Sequence, residues 1–202
     1  GQIIYSHINI KLRYRKNFHI TKYLFKLLKS ILKIINNSVI HRLFYPTVPI
    51  ILTIKSKNII SGLVVNSCMP LSFNPPLIGV SINKNSFTNE LMQEIKYFAL
   101  NWINKKHVKK LKFIGTKSGR LSNNKLKDSG FKNMTKDEVE IIMESEAIIK
   151  CQIIRKHSVG DHDLFIVKVI KAYASQDFKN YWLFKKYEPI LYNGLTEDKE
   201  VK

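Results

Sequence analysis

Residues 157–173 read HSVGDHDLFIVKVIKAY, and this stretch decides how the whole chain is read. Gly160 and Asp161 make a tight turn, after which the run from Leu164 has the β-branched, apolar character of a strand. Just upstream, AIIKCQIIRKH (147–157) is a second run of the same kind, so two long strands close the domain. His157, Asp161, His162 and Asp163 crowd around the turn, but their spacing fits no standard metal site and no metal is expected. Asp161 and Asp163 are read as turn and strand-edge residues, with His162 beginning the strand.

Working outward, VPIILTIK and NIISGLVV are β-branched runs separated by SKN and read as a hairpin, and PLIGVSIN is a third apolar run opened by Pro75 and Pro76. The two prolines fix φ and remove donors, which makes MPLSFNPP a rigid loop. TNELMQEI predicts a short helix capped by Thr88, YFALNW a strand, and NKKHVKKLKFIG a helix ending at Gly115. The stretch from there to Ser145 reads as turn-rich and irregular. Many short strands with few inserted helices predict a mainly β domain, an antiparallel barrel and not alternating βαβ units.

The chain has 202 residues, 45% of them hydrophobic and 11% aromatic, enough for one domain with a buried core plus appendages. The boundaries read as a basic extension over 1–36, a domain over 37–192 and a charged tail over 193–202. Within the extension, TKYLFKLLKSILKIINN predicts a basic amphipathic helix over 22–36 with Thr21 as N-cap.

No acidic residue precedes Glu90, so the formal charge of +19 is concentrated toward the N-terminus. Such a charge suits nucleic acid, an anionic membrane surface or a phosphorylated ligand, while an AT-rich genome yields the same lysine and isoleucine bias without any partner. No specific nucleic acid is expected, and the helix more often packs on its own domain than on a membrane. Cys68 and Cys151, far apart in sequence, support neither a disulfide framework nor a zinc site and point to a reducing cytoplasm. No bilayer-length apolar run and no signal peptide is read.

The GxGxxG, P-loop, GxSxG and HExxH signatures are absent, as is any nucleophile triad. GTKSGR (115–120) is an anion candidate, because small residues expose backbone N–H groups while Thr116, Ser118, Lys117 and Arg120 add hydroxyls and charge. NKNSFT, with Lys84, Ser86 and Thr88, is a second candidate of that kind.

Taken in order, YPTVPIILTI, SGLVVNSCMPLSFNPPLIGVSI, FALN, GTKSGR with NKL, KCQII and GDHDLFIVKV resemble the flavin reductase-like, FMN-binding split-barrel family, closest to its archaeal-type, flavoredoxin-like branch. The resemblance covers about residues 37–192 and leaves the N-terminal helix outside. It implies a Greek-key split β-barrel that forms a homodimer, with FMN near the interface and NADH or NADPH as hydride donor. It further implies Thr88, Thr116, Lys117, Ser118 and Lys125 as phosphate-binding residues, and Ser61, Asn66, Ser67 and Cys68 beside the isoalloxazine ring. His162 is implied as the catalytic residue at the flavin or the nicotinamide. The family's NG is here Ser61-Gly62, the final glycine of its GDHxLFxG motif is Lys168, and Ser67 and Cys68 replace aromatic residues. An NAD(P)H-dependent flavin reductase is the leading expectation. A non-enzymatic FMN electron carrier serving a redox protein partner, and a basic binding module acting through the N-terminal helix, are the alternatives.

Overall fold

The computed structural model describes residues 32–194, and the chain divides into two compact units after Leu43. In the first, residues 32–36 carry no regular structure and a 3-10 helix starts at Asn37, running to Phe44. Of the helix expected over 22–36, residues 22–31 lie outside the described residues, as do 195–202 of the expected tail.

In the second unit, seven strands form one antiparallel sheet: β1 (Ile50–Ser56), β2 (Ile59–Val65), β3 (Cys68–Phe73), β4 (Pro76–Asn83), β5 (Tyr97–Ile103), β8 (Ser145–Val159) and β9 (His162–Ala174). β6 (Asn133–Lys136) and β7 (Val139–Ile142) form a separate hairpin. The spatial order is β2-β1-β5-β8-β9-β4-β3. Strands β2 and β3 are thus opposite edges of the sheet, yet only Asn66 and Ser67 separate them in the chain. Two residues span at most about 7 Å, so the sheet must curl until its edges meet. At that junction Ser81 N donates to Ser67 O at 2.9 Å, and β2 touches β4 without a strand ladder. The result is the split barrel, and its connectivity is Greek-key because β4, paired with β9, passes the chain across the barrel end to β5 beside β1.

Strand β1 is buried on both faces from Ile50 to Ile54, and only Lys55 reaches solvent. Ile50, Leu52 and Ile54 join Val80, Phe98, Leu100, Cys151, Phe165 and Val167 in the barrel interior. Leu91 and Met92 of helix α1 (Phe87–Met92) belong to the same core, so α1 plugs one mouth of the barrel. Ile51 faces outward with Ile103, and these pack under Leu111 and Ile114 of α2 (Val108–Thr116), Leu126 of α3 (Lys125–Asp128) and Ile142 of β7.

Several expectations are corrected. MPLSFNPP is a strand and a turn, not only a rigid loop: β3 pairs with β4 across Asn74-Pro75, and Pro70 is tolerated because β3 is a sheet edge. Ser86, not Thr88, caps α1, its side chain accepting from Asn89 N at 3.1 Å. Gly115 lies inside α2, which runs to Thr116. The stretch read as irregular holds α3 and the β6–β7 hairpin, whose tip places Asp137 and Glu138 at φ of 50° and 66° in place of the usual glycine.

One buried amide holds that hairpin to the barrel. Asn101 donates to Ile51 O at 3.0 Å and Thr53 Oγ1 at 2.9 Å, and accepts from Ile142 N at 3.1 Å and Ser145 Oγ at 3.3 Å. Thr53 Oγ1 in turn bonds Glu140 O. Asn101→Ala strands several buried groups at once and is expected to cost about 3 kcal/mol, read as a lower urea midpoint with unchanged m-value.

Candidate functional site

The first half of the site is built where β2 begins. Ser61 and Gly62 are buried, and the segment leading into α3 runs alongside them, because Ile60 N donates to Asn123 O at 2.8 Å. Lys125, 4% exposed, donates from Nζ to Gly62 O at 2.9 Å. Burial pushes its ammonium down to about 8, since the charged form loses its hydration.

Against the same strand rests the turn that Ser118 caps, its Oγ accepting from Arg120 N at 3.3 Å. A Cβ on Gly119 would stand 2.6 Å from Ser61 Oγ and 3.0 Å from the Phe87 ring, so this contact admits only glycine. Arg120 forks onto Glu90 and lies 5.0 Å over the centre of Phe87. That pair clamps α1 to the turn and brings Thr88, the residue after Phe87, into the cluster, 4% exposed. Ser61 Oγ is buried without any hydrogen-bond partner. Among the described residues no hydrogen bond or ion pair engages the Thr88 hydroxyl or the Lys117 ammonium.

Of the expected phosphate ligands, then, Thr88, Ser118 and Lys125 gather with Ser61, and Lys117 stands exposed at the end of α2. Thr116 differs: its hydroxyl donates back to Lys112 O at 2.9 Å inside the helix. Lys84 is likewise occupied, bonding Ser158 Oγ and Gly160 O, both at 2.6 Å.

The second half lies along the seam. Asn66, Ser67 and Cys68 begin five residues beyond Ser61, about 16 Å along an extended chain, so Ser61 is not beside them. Asn66 Oδ1 accepts from Thr47 Oγ1 at 3.2 Å, Ser67 O from Ser81 N at 2.9 Å. Cys68 pairs with Val80 and leans on the barrel core, and burial pushes its thiol up to about 12. It is a neutral thiol.

His162 pairs with Asn83, two residues beyond Ser81, at the end of β4 that leads into α1. Its Nδ1 is 2.7 Å from Asp161 Oδ1, and this hydrogen bond holds the Asp161 carboxyl below the ordinary carboxylate value. Asp161 is the turn residue expected. Asp163 is not a strand-edge residue: at 6% exposure it takes the inward face of β9 with Phe165 and Val167, its Oδ2 4.0 Å from Lys156 Nζ. Phe87, Glu90 and Gly119 were not singled out from sequence. The alternation HDLFIV, with Phe165 and Val167 inward, was signal enough for Asp163.

A model of the flavin reductase like domain matches residues 41–192 of this chain. The chain belongs to that family. Relatives include an uncharacterized protein of Aeropyrum pernix, 30% identical over 161 residues, covering 78% of this chain and 61% of its own length. An uncharacterized protein of Archaeoglobus fulgidus is 30% identical over 113 residues, covering 55% and 64%. The chain thus spans about three fifths of the length of the curated relatives it matches.

Similar solved structures are an FMN-binding protein from Thermus thermophilus with bound 1-cyclohex-2-enone (TM-score 0.69, 22% identity, 81% of this chain and 90% of that one) and flavoredoxin from Methanosarcina acetivorans (0.68, 24%, 79% and 84%). An NADH:FAD oxidoreductase from Streptomyces globisporus is a third (0.67, 19%, 80% and 92%). At these identities the likeness shows the split-barrel fold.

Two tests follow for this flavin reductase-like domain. Gly119→Ala should destabilise it by about 1–3 kcal/mol, and adding Ser61→Ala should recover a good part of that loss, because it removes the nearest clashing atom; a double-mutant cycle in urea measures the coupling. Lys125 carries a pH signature. Its folded value, about 8, lies below the ordinary 10.5, so the unfolded chain holds more protons between these values and stability rises with pH there. Lys125→Met should flatten that rise, read as unfolding midpoints across the window.

Proposed function

We propose that this chain is an NAD(P)H-dependent flavin reductase-type oxidoreductase with FMN as its cofactor. The observation that carries this reading is the cluster where Thr88, the Ser118 turn and Lys117 offer unspent donors beside the buried Lys125 amine and the unpartnered Ser61 hydroxyl. Hydroxyls, backbone N–H groups and positive charge in one place fit a phosphate dianion, and the Glu90 carboxylate is already paired with Arg120.

When bound, the flavin supplies the hydride chemistry, which is why the chain needs no nucleophile of its own. The chain's part is to bind and orient. Lys117, Thr88 and the Ser118 turn hold the phosphate end. The Asn66–Cys68 segment, fixed by Thr47 and Ser81, lines the ring end with backbone donors and a neutral thiol. His162, with Nδ1 turned to Asp161, keeps Nε2 for the reacting edge of the ring or the nicotinamide. Met69, Leu71 and Phe73 on β3 are 55%, 42% and 92% exposed, and we assign this apolar edge to the homodimer contact. We assign a cytoplasmic setting on the two free thiols.

The purified protein should turn yellow with FMN and oxidise NADH or NADPH in its presence. His162→Ala should keep FMN affinity within about threefold while the reduction rate falls by about tenfold to a hundredfold. A colourless protein that neither binds nor retains flavin would overturn the cofactor assignment. Flavin binding with no turnover on either nucleotide, alongside reduction by a protein partner, would establish the electron-carrier reading that the flavoredoxin likeness supports.

A further inference from the structure

We propose a second ligand site on the outer face of the barrel, under the tip of the β6–β7 hairpin, that takes a flat aromatic ring bearing a carboxylate. The place is a cavity of about 230 Å³. Val139 and Ile141 of β7 and Ile148 of β8 give it an apolar floor, Tyr173 of β9 a wall, and Lys136 and Lys150 a charged rim. It is separate from the flavin cluster, since β1 and β5 stand between β2 and β8 in the sheet.

The register explains the charge. Ile148 lies directly opposite Tyr173, and Lys150 directly opposite Lys171. The two lysines bring neighbouring positive charges to this face, Lys150 Nζ resting on Asp137 O and Lys171 held charged by Tyr173 and Asp137. The ring of Tyr173 is flanked by Lys136 Nζ at 4.7 Å and Lys171 Nζ at 5.3 Å. Tyr97 is flanked in the same way by Lys150 at 4.7 Å and Lys96 at 5.3 Å. The ammonium groups are therefore parked over aromatic faces, a contact worth little in water and readily exchanged for a carboxylate.

Asp137 also lines the cavity and favours the charged form of Lys171, with Glu138 beside it at the hairpin tip; the lining lysines Lys136 and Lys150, with Lys171 next to Tyr173, outnumber these two acids. Both tip residues sit at left-handed φ, 50° and 66°, which costs non-glycine residues energy. Lys150 Nζ donates to Asp137 O and fixes the tip over the cavity. The apolar floor calls for a ring and the ammonium rim for an anion. With lysines and no arginine fork in the rim, a carboxylate suits better than a phosphate needing bidentate contacts.

The test is a calorimetric titration of the full chain, saturated with FMN, using 2-naphthoate as probe. The expected result is one binding event unaffected by FMN, weakened about tenfold or more in the Lys136→Gln/Lys150→Gln variant and in Tyr173→Ala, with thermal midpoints preserved. The uncharged 2-naphthalenemethanol should bind the unaltered protein at least about tenfold more weakly, a comparison that needs no variant. Displacement of naphthoate by FMN, equal affinity for the uncharged analogue, undiminished binding by both variants, or no binding at millimolar probe would each overturn the assignment.

Discussion

A two-residue link between opposite edges of one sheet governs this molecule. Strands β2 and β3 are the outermost of seven, and Asn66 with Ser67 is all the chain that joins them. No open sheet of that width satisfies so short a tether, so closure is forced by connectivity before any side chain packs. Closure then creates an inside, and the alternation of β1, β5 and β9 fills it with Leu52, Leu100 and Phe165. It also leaves a seam, because β2 meets β4 without a ladder, and backbone groups along that seam are available to something other than a neighbouring strand.

Half of the candidate site lies along the seam and half where β2 begins, and in that first half the local packing gives up stability to hold a shape. Lys125 is a buried amine whose charged form is disfavoured, Ser61 Oγ has no partner, and Gly119 can carry no side chain. None of these is what a core selected for stability alone would contain. The Arg120–Glu90 fork over Phe87 offsets part of the cost by tying α1 to the 118–121 turn. Unfavourable buried polar groups gathered in one place are the usual mark of a site kept for binding.

The sequence made the long strands legible because β-branched runs broken by Gly160 or by SKN have few other structures open to them. Strand β3 was hidden by Pro70 and the Pro75-Pro76 pair, since proline argues against a strand unless the strand is known to be an edge. The β6–β7 hairpin was hidden because its tip uses Asp137 and Glu138 where glycine or asparagine is the signal. At the site, composition pointed to Lys117, Ser118 and Thr88, and the motif order to Lys125. It could not show that Gly119 abuts Ser61, because fifty-eight positions of chain separate them and only the tertiary fold sets that contact. Nor could it show that the Thr116 hydroxyl is engaged: an exposed hydroxyl at a helix end has its own backbone to bond, and it does so with Lys112.

A total of +19 is easily produced by composition alone. Within the barrel the lysines are not evenly spread. Lys150 opposes Lys171 across β8 and β9, and two tyrosine rings each carry two ammonium groups. Compositional drift would scatter lysines over solvated positions, where each is nearly neutral in energy. Placing two of them opposite each other beside an apolar cavity concentrates positive charge there, and an anion at the rim is attracted by it. The start of β2 and this outer face are thus two places where polar or charged groups are gathered beyond what packing of the folded chain requires.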